Sequence, residues 1–178
     1  MGKITLNLAM SLDGFISDNN GGFNWILGHH DSSNDTKDTF KFEDFLQEID
    51  IIVMGSKAYE DVVLTNLDTY EDKEIIVATS RTLEKRENVM FIKGNITQQI
   101  LTSKEKEGKN IWLFGGAILT DLFIKQNLVD EYIIGIVPTL LGSGRSLFKG
   151  HNEQIDLHLN RTTVTDSIVI LIYSKRKI

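Results

Sequence analysis

The sequence predicts an α/β fold, a sandwich of helices on both sides of a mostly parallel central sheet with an antiparallel C-terminal edge. Two observations carry that expectation. Short apolar runs rich in β-branched and aromatic residues alternate with helical stripes up to about residue 130, and the last two runs have no helix between them.

The elements follow in order. Residues 3–10 alternate with period two and break at Ser11-Leu12-Asp13-Gly14, where Asp-Gly favours a turn, so they read as the first strand. Phe42, Phe45, Leu46 and Ile49 follow i, i+3, i+4, i+7, which predicts a helix over about residues 36–48. Residues 49–54, 74–79, 89–92 and 111–114 read as buried strands. Ile118, Leu119, Leu122 and Phe123 form a second helical stripe that ends before Asn127. Residues 132–137 and 168–173 are the two strands expected to pair antiparallel, and the charge runs at 104–107 and 175–177 read as solvated surface.

Composition narrows the function classes. With 178 residues, 41% hydrophobic and 25% charged, the chain is expected to form one globular domain and is neither disordered nor fibrous. It has no Cys, which removes disulfides, thiol nucleophiles and thiolate metal sites and suits a reducing compartment. A net charge of -6 disfavours nucleic acid. No apolar run approaches the roughly 18 residues of a membrane span, and the alternating N-terminus has no signal-peptide core. A cytoplasmic protein without membrane contact is the expectation.

The chain has no GxSxG, HExxH or Walker sequence, and His29-His30 lacks a suitably spaced third ligand, so no metal is assigned. What remains lies at strand ends, where open α/β sheets bind ligands. The strand at 49–54 runs into Gly55-Ser56-Lys57, and that at 111–114 into Gly115-Gly116-Ala117 and a helix start. Both suit phosphate, because side-chain-free residues precede unpaired backbone N–H groups. The strand at 74–79 runs into Ser80-Arg81-Thr82, whose hydroxyls and guanidinium fork suit a ribose 2′-phosphate. Read singly, each glycine is more simply a turn residue and Arg81 a surface charge. Together they point to NADPH.

Several segments, in order, resemble the dihydrofolate reductase superfamily. They are Ala9-Met10-Ser11-Leu12-Asp13-Gly14-Phe15-Ile16, residues 50–59, Thr79-Ser80-Arg81-Thr82, Leu113-Phe114-Gly115-Gly116, and Leu128-Val129-Asp130-Glu131 with Pro138-Thr139-Leu140-Leu141-Gly142. The similarity is greatest to the C-terminal reductase domain of the riboflavin-biosynthesis deaminase-reductase and its stand-alone relatives.

That resemblance implies a three-layer, dihydrofolate reductase-like fold that binds NADPH, often as a homodimer. It also implies hydride transfer to a pteridine-like or ribosylaminopyrimidine substrate. Carried over by position, Ala9 and Ile16 border the nicotinamide, and Gly55, Ser56, Lys57 and Ala58 the phosphates. Ser80 and Arg81 hold the 2′-phosphate, while Gly115, Gly116, Ala117 and Ile118 wrap the pyrophosphate and ribose. Residues 17–25 occupy the place of a mobile loop, with Gly21-Gly22 as its pivot.

Hydride delivery to C=N needs a proton donor or guided water. On a helix over 36–48, Asp38 falls within the arc of Phe42, Phe45 and Ile49 and is the candidate acid; complementing the helix N-terminus explains it equally. Asp13 is the second candidate, with turn formation as its alternative. Trp25 and Phe42 are the candidates to stack on the flat heterocycle, although core packing is the stronger explanation for Phe42. Phe114 stands where the riboflavin reductase has glutamate, and Ala58 where many folate enzymes have threonine. A dihydrofolate reductase and a non-catalytic nucleotide-binding or redox-sensing module therefore stay open as alternatives.

Overall fold

The computed structural model describes residues 2–63, 66–84, 86–150 and 153–176. Its centre is an eight-stranded sheet of β1 (Ile4–Ser11), β3 (Ile51–Gly55), β4 (Glu74–Ala78), β5 (Val89–Ile92), β6 (Ile111–Gly115), β7 (Glu131–Val137), β9 (Leu157–Thr165) and β10 (Ile168–Lys175). The spatial order is β5-β4-β3-β6-β1-β7-β10-β9, parallel from β5 to β7 and antiparallel at β7-β10 and β10-β9. The expected antiparallel pairing is present, but the edge itself is β9. Its start, Leu157-His158-Leu159-Asn160, alternates with period two but is exposed on both faces, and it is not among the expected strands.

The helices α3 (Ile96–Glu107) and α4 (Ala117–Lys125) cover one face, where Ile4, Leu6, Val53, Leu113, Phe123 and Ile134 are buried. On the other face α1 (Phe42–Gln47) and the segment bearing Tyr59 and Tyr70 cover Ile52, Met54, Val77 and Trp112. Strand β1 lies between β6 and β7 and is buried on both sides, so Thr5 is 0% and Asn7 9% exposed despite their polar positions in the alternation.

Other local expectations shift. Helix α1 starts at Phe42, six residues later than predicted, because the backbone before it pairs with the β9–β10 hairpin. Thr36 N–H donates to the Val164 carbonyl at 3.0 Å, and Asp166 N–H donates to Asp35 at 2.8 Å. In α4 the inward residues are Leu119, Thr120, Phe123 and Ile124, while Ile118 is 78% exposed. Asn127, in the left-handed region at φ 53°, ends the turn after that helix.

The 104–107 run is not all solvated: Lys104 meets Asp130 at 2.5 Å with its side chain 12% exposed. In the 175–177 run, whose last residue lies outside the described residues, Lys175 donates to the Asn127 carbonyl, and burial pushes its ammonium pKa down. Among the described residues no helix is long and apolar enough to cross a membrane.

Candidate functional site

The parallel order sets the tips of β4, β3 and β6 side by side at one end of the sheet. Met54 registers with Gly115 after an irregularity beside Val53. This brings the next residues together: a Cβ on Gly116 would lie 3.5 Å from the Gly55 nitrogen. Gly115 and Gly116 have φ of 127° and 89°, a backbone that other residues adopt only with strain.

From that turn α4 departs with Gly116 as its N-cap and no side chain capping it, so its first N–H groups point outward without an intrahelical partner. The Thr120 hydroxyl, 1% exposed, lies below Gly115 and has no hydrogen-bond partner. Gly55 likewise opens the short turn α2 (Ser56–Ala58) without a side-chain cap. Lys57 is paired with Asp61 at 2.9 Å, and Ala58 packs half-buried against the aromatic-side core.

At the β4 tip Ser80 is exposed, Arg81 N–H donates to the Thr79 hydroxyl at 3.0 Å, and the Arg81 guanidinium donates to Glu60 at 2.8 Å. Ala117 follows the glycine turn, and Ile118 stands exposed at its mouth. The fold thus gathers Gly55, Ser56, Lys57, Ser80, Arg81, Gly115, Gly116, Ala117 and Ile118 at one end. Uncapped N–H groups, an orphaned buried hydroxyl and a guanidinium fit the phosphates of a dinucleotide.

Ala9 lies at the C-terminal part of β1 in register with Gly135, where an added Cβ would lie 3.5 Å from the Ala9 Cβ and 3.5 Å from the Ile168 side chain. Ile16, in β2 (Phe15–Ser17), packs against the core on the α3–α4 face. Phe42 is 37% exposed and meets Trp112 edge-on with centroids 5.4 Å apart. Trp112 also contacts Phe45 at 5.5 Å and Phe114 at 4.9 Å, and its indole N–H donates to the Asn7 carbonyl at 2.9 Å. The Asn7 Nδ2 and the Trp25 Nε1 are buried without partners. Trp25 sits in a 3₁₀ turn, Asn24–Leu27, next to β1.

Sequence reasoning missed Asn7, Trp112 and Thr120. Asn7 gave no signal by itself, since alternation puts it on a wet face and only the sheet order shows that β1 is flanked on both sides. Thr120 had none, since one hydroxyl in an apolar helix is common.

The two candidate acids fare differently. Asp13 accepts from the Ser11 hydroxyl at 2.6 Å, from Gly142 N–H at 2.7 Å and from Leu141 N–H at 3.1 Å. The Ser11 hydroxyl and then these amides hold its carboxyl below the usual carboxylate range, so near neutrality it is an anion and an anchor. Asp38 lies outside any helix, with its side chain 84% exposed and 2.7 Å from Arg161 on β9. The helical arc that aimed it inward does not exist, because α1 begins four residues later.

The loop over 17–25 is tied down. Ser17 pairs with Arg145 of β8 (Arg145–Ser146), Asn19 donates to the Ser143 hydroxyl at 2.7 Å, and Asp18 accepts from Gly22 N–H at 2.8 Å. The His29 ring lies 3.4 Å from the Pro138 carbonyl, and among the described residues no group of three His, Cys, Asp or Glu could hold a metal ion.

The family model described as the RibD C-terminal domain matches residues 2–171. The chain belongs to the RibD C-terminal domain family. A relative, the uncharacterized protein YyaP of Bacillus subtilis (strain 168), is 35% identical over 96% of this chain and 94% of its own. A Shewanella sp. PV-4 protein assigned by name to riboflavin biosynthesis superimposes with a TM-score of 0.81 at 23% identity, covering 99% of this chain and 100% of its own. Dihydrofolate reductase from Enterococcus faecalis, solved with NADP(H), superimposes with a TM-score of 0.65 at 15% identity over 98% of this chain and 97% of that one. The RibD C-terminal domain thus shares the dihydrofolate reductase-like architecture here, as the sequence resemblance implies.

Proposed function

We propose that this RibD C-terminal domain is an NADPH-dependent reductase acting on a ribosylaminopyrimidine or a related heterocycle, similar to 5-amino-6-(5-phosphoribosylamino)uracil reductase. One observation carries the reading: three adjacent strand tips bring an uncapped helix start, two left-handed glycines and an arginine fork to one end of the sheet. Family membership and the NADP(H)-bound fold relative support it.

When bound, the coenzyme's reduced nicotinamide supplies the hydride. The protein's part is position. Gly115, Gly116 and the first N–H groups of α4 hold the pyrophosphate, and Ser80 and Arg81 hold the ribose phosphate. Ala9, in register with Gly135 near the C-terminal end of β1, would border the nicotinamide. The heterocycle lies toward Phe42 and Trp112, where Asn7 Nδ2 and Trp25 Nε1 supply donors that the fold leaves unused.

With Asp13 tied as an anion and Asp38 exposed, the proton comes from water reaching the slot, so turnover falls smoothly as pH rises. A homodimer belongs to the same proposal. An apolar hollow of about 310 Å³, lined by Met10, Ile134, Phe148, Leu157 and Leu171, offers a surface for a second copy, and light scattering tests it.

The deciding measurement is NADPH oxidation with the phosphoribosylaminouracil substrate, with dihydrofolate, and with neither. Turnover on the first supports the proposal, and turnover on dihydrofolate alone replaces it with folate reduction. Tight NADPH binding without turnover on either leaves the nucleotide-binding module.

A further inference from the structure

We infer that Glu60 sets how strongly this chain prefers a coenzyme phosphorylated on the adenosine ribose, an inference that rests on the proposed reductase reading of the same strand tips. Glu60 lies on the turn Tyr59–Val63 that follows α2, next to the β4 tip. Its carboxylate oxygen is 2.8 Å from Arg81 Nη2, with the two side chains 36% and 54% exposed.

A guanidinium recognises phosphate through paired N–H groups on its fork. Here one arm of the fork is already donating to a carboxylate. A 2′-phosphate on Arg81 must therefore displace Glu60 or share the guanidinium with it. Exposure makes displacement feasible, because ion pairs this open are weak. The displaced carboxylate stays on the same surface and repels the phosphate.

An unphosphorylated ribose meets the opposite situation. Its 2′-hydroxyl can donate to Glu60, the role an acid plays where dinucleotides without the phosphate are selected. The neighbouring cation gives no surplus charge to offset this, since Lys57 is held by Asp61 at 2.9 Å. Lys93, just after β5, donates to the Thr82 hydroxyl at 3.4 Å, and Arg86 is engaged by Tyr59 and lies 3.8 Å from Glu84. Glu60 thus narrows the choice that Arg81 would otherwise make sharply.

The test is calorimetric titration of the full chain with adenosine 2′,5′-bisphosphate and with adenosine 5′-monophosphate, which requires no turnover. Glu60→Gln should tighten the bisphosphate by about 3- to 10-fold at low salt, the scale of one exposed charge contact plus a nearby repulsion. The monophosphate should bind equally or up to about 3-fold more weakly, as expected for one lost hydrogen bond. The gain should vanish in an Arg81→Ala background and shrink at high salt. Glu60→Ala should act in the same direction, so the result does not rest on one replacement.

Equal changes for both nucleotides, or no change for either, would overturn the role of Glu60. If the bisphosphate still binds and depends on Arg81, the reductase reading survives that failure. If neither nucleotide binds the unaltered chain, both fall together.

Discussion

The tip of β1 and the tips of β3 and β6 lie at the same end of one sheet and carry similar residues, yet they treat their polar groups in opposite ways. At β1 the turn is closed on itself. Asp13 accepts three hydrogen bonds, the Ser11 hydroxyl also accepts from Phe15 N–H at 3.0 Å, and Leu12 N–H donates to the Thr139 carbonyl at 2.9 Å. At β6 the helix start has no cap, and the Thr120 hydroxyl beneath it has no partner. Residue type does not separate an anchor from a binding site. What differs is that the β6 tip keeps hydrogen-bonding capacity that a ligand there could use, while the β1 turn spends its own.

Breaking the open tip should give the largest effect. Gly116→Val forces a branched side chain onto φ 89° and places it against Gly55. NADPH affinity should fall by about 100-fold, or ~2.7 kcal/mol, read by fluorescence titration. Retained affinity would mean the coenzyme does not lie on these glycines.

Breaking the closed tip should act on stability before chemistry. Asp13→Asn gives up a charged acceptor for two backbone amides, so the melting temperature should drop by a few degrees while turnover falls by less than about 10-fold. The sign with pH is fixed. Asp13 has its pKa lowered below 3.8 on folding, so its contribution is present above about pH 4 and is lost as pH falls through the folded value. The variant should therefore show a flatter acid limb in its stability curve. Loss of turnover with an unchanged melting temperature would instead make Asp13 the acid.

Thr120→Val sharpens the contrast. Its hydroxyl has no partner in the fold, so stability should stay level or rise by up to about 1 kcal/mol, while NADPH affinity falls about 3-fold. A loss of stability would show that the hydroxyl serves the core.

The smallest effect should come from Asp38→Asn. An exposed pair with Arg161 contributes about 0–1 kcal/mol, and turnover should stay within about twofold at every pH. A loss that grows as pH rises would return Asp38 to the role of proton donor.

Much of this molecule was legible in the chain. The strand at Val89–Ile92 lies where its β-branched and aromatic run places it, and Asp-Gly marks the turn after β1. The three strand ends stood out only together, because glycine, hydroxyl and guanidinium groups recur at the ends of three strands. Asp38 was misread because periodicity extrapolates a helix backwards without knowing that Thr36 and Asp35 are claimed by the β9–β10 hairpin. Asn7 was passed over because alternation suggests a strand with one wet face, whereas β1 has neither.

The amino-acid order by itself determined seven strands of the central sheet, though not β9, and which chemical groups stand at the ends of β3, β4 and β6, since these depend on local periodicity and backbone preference. Only the folded chain decided that β4, β3 and β6 are neighbours, that Asp13 is already occupied, and that Glu60 meets Arg81. Such facts arise from contacts between residues far apart in sequence, and local preference carries no information about which distant partner satisfies a polar group.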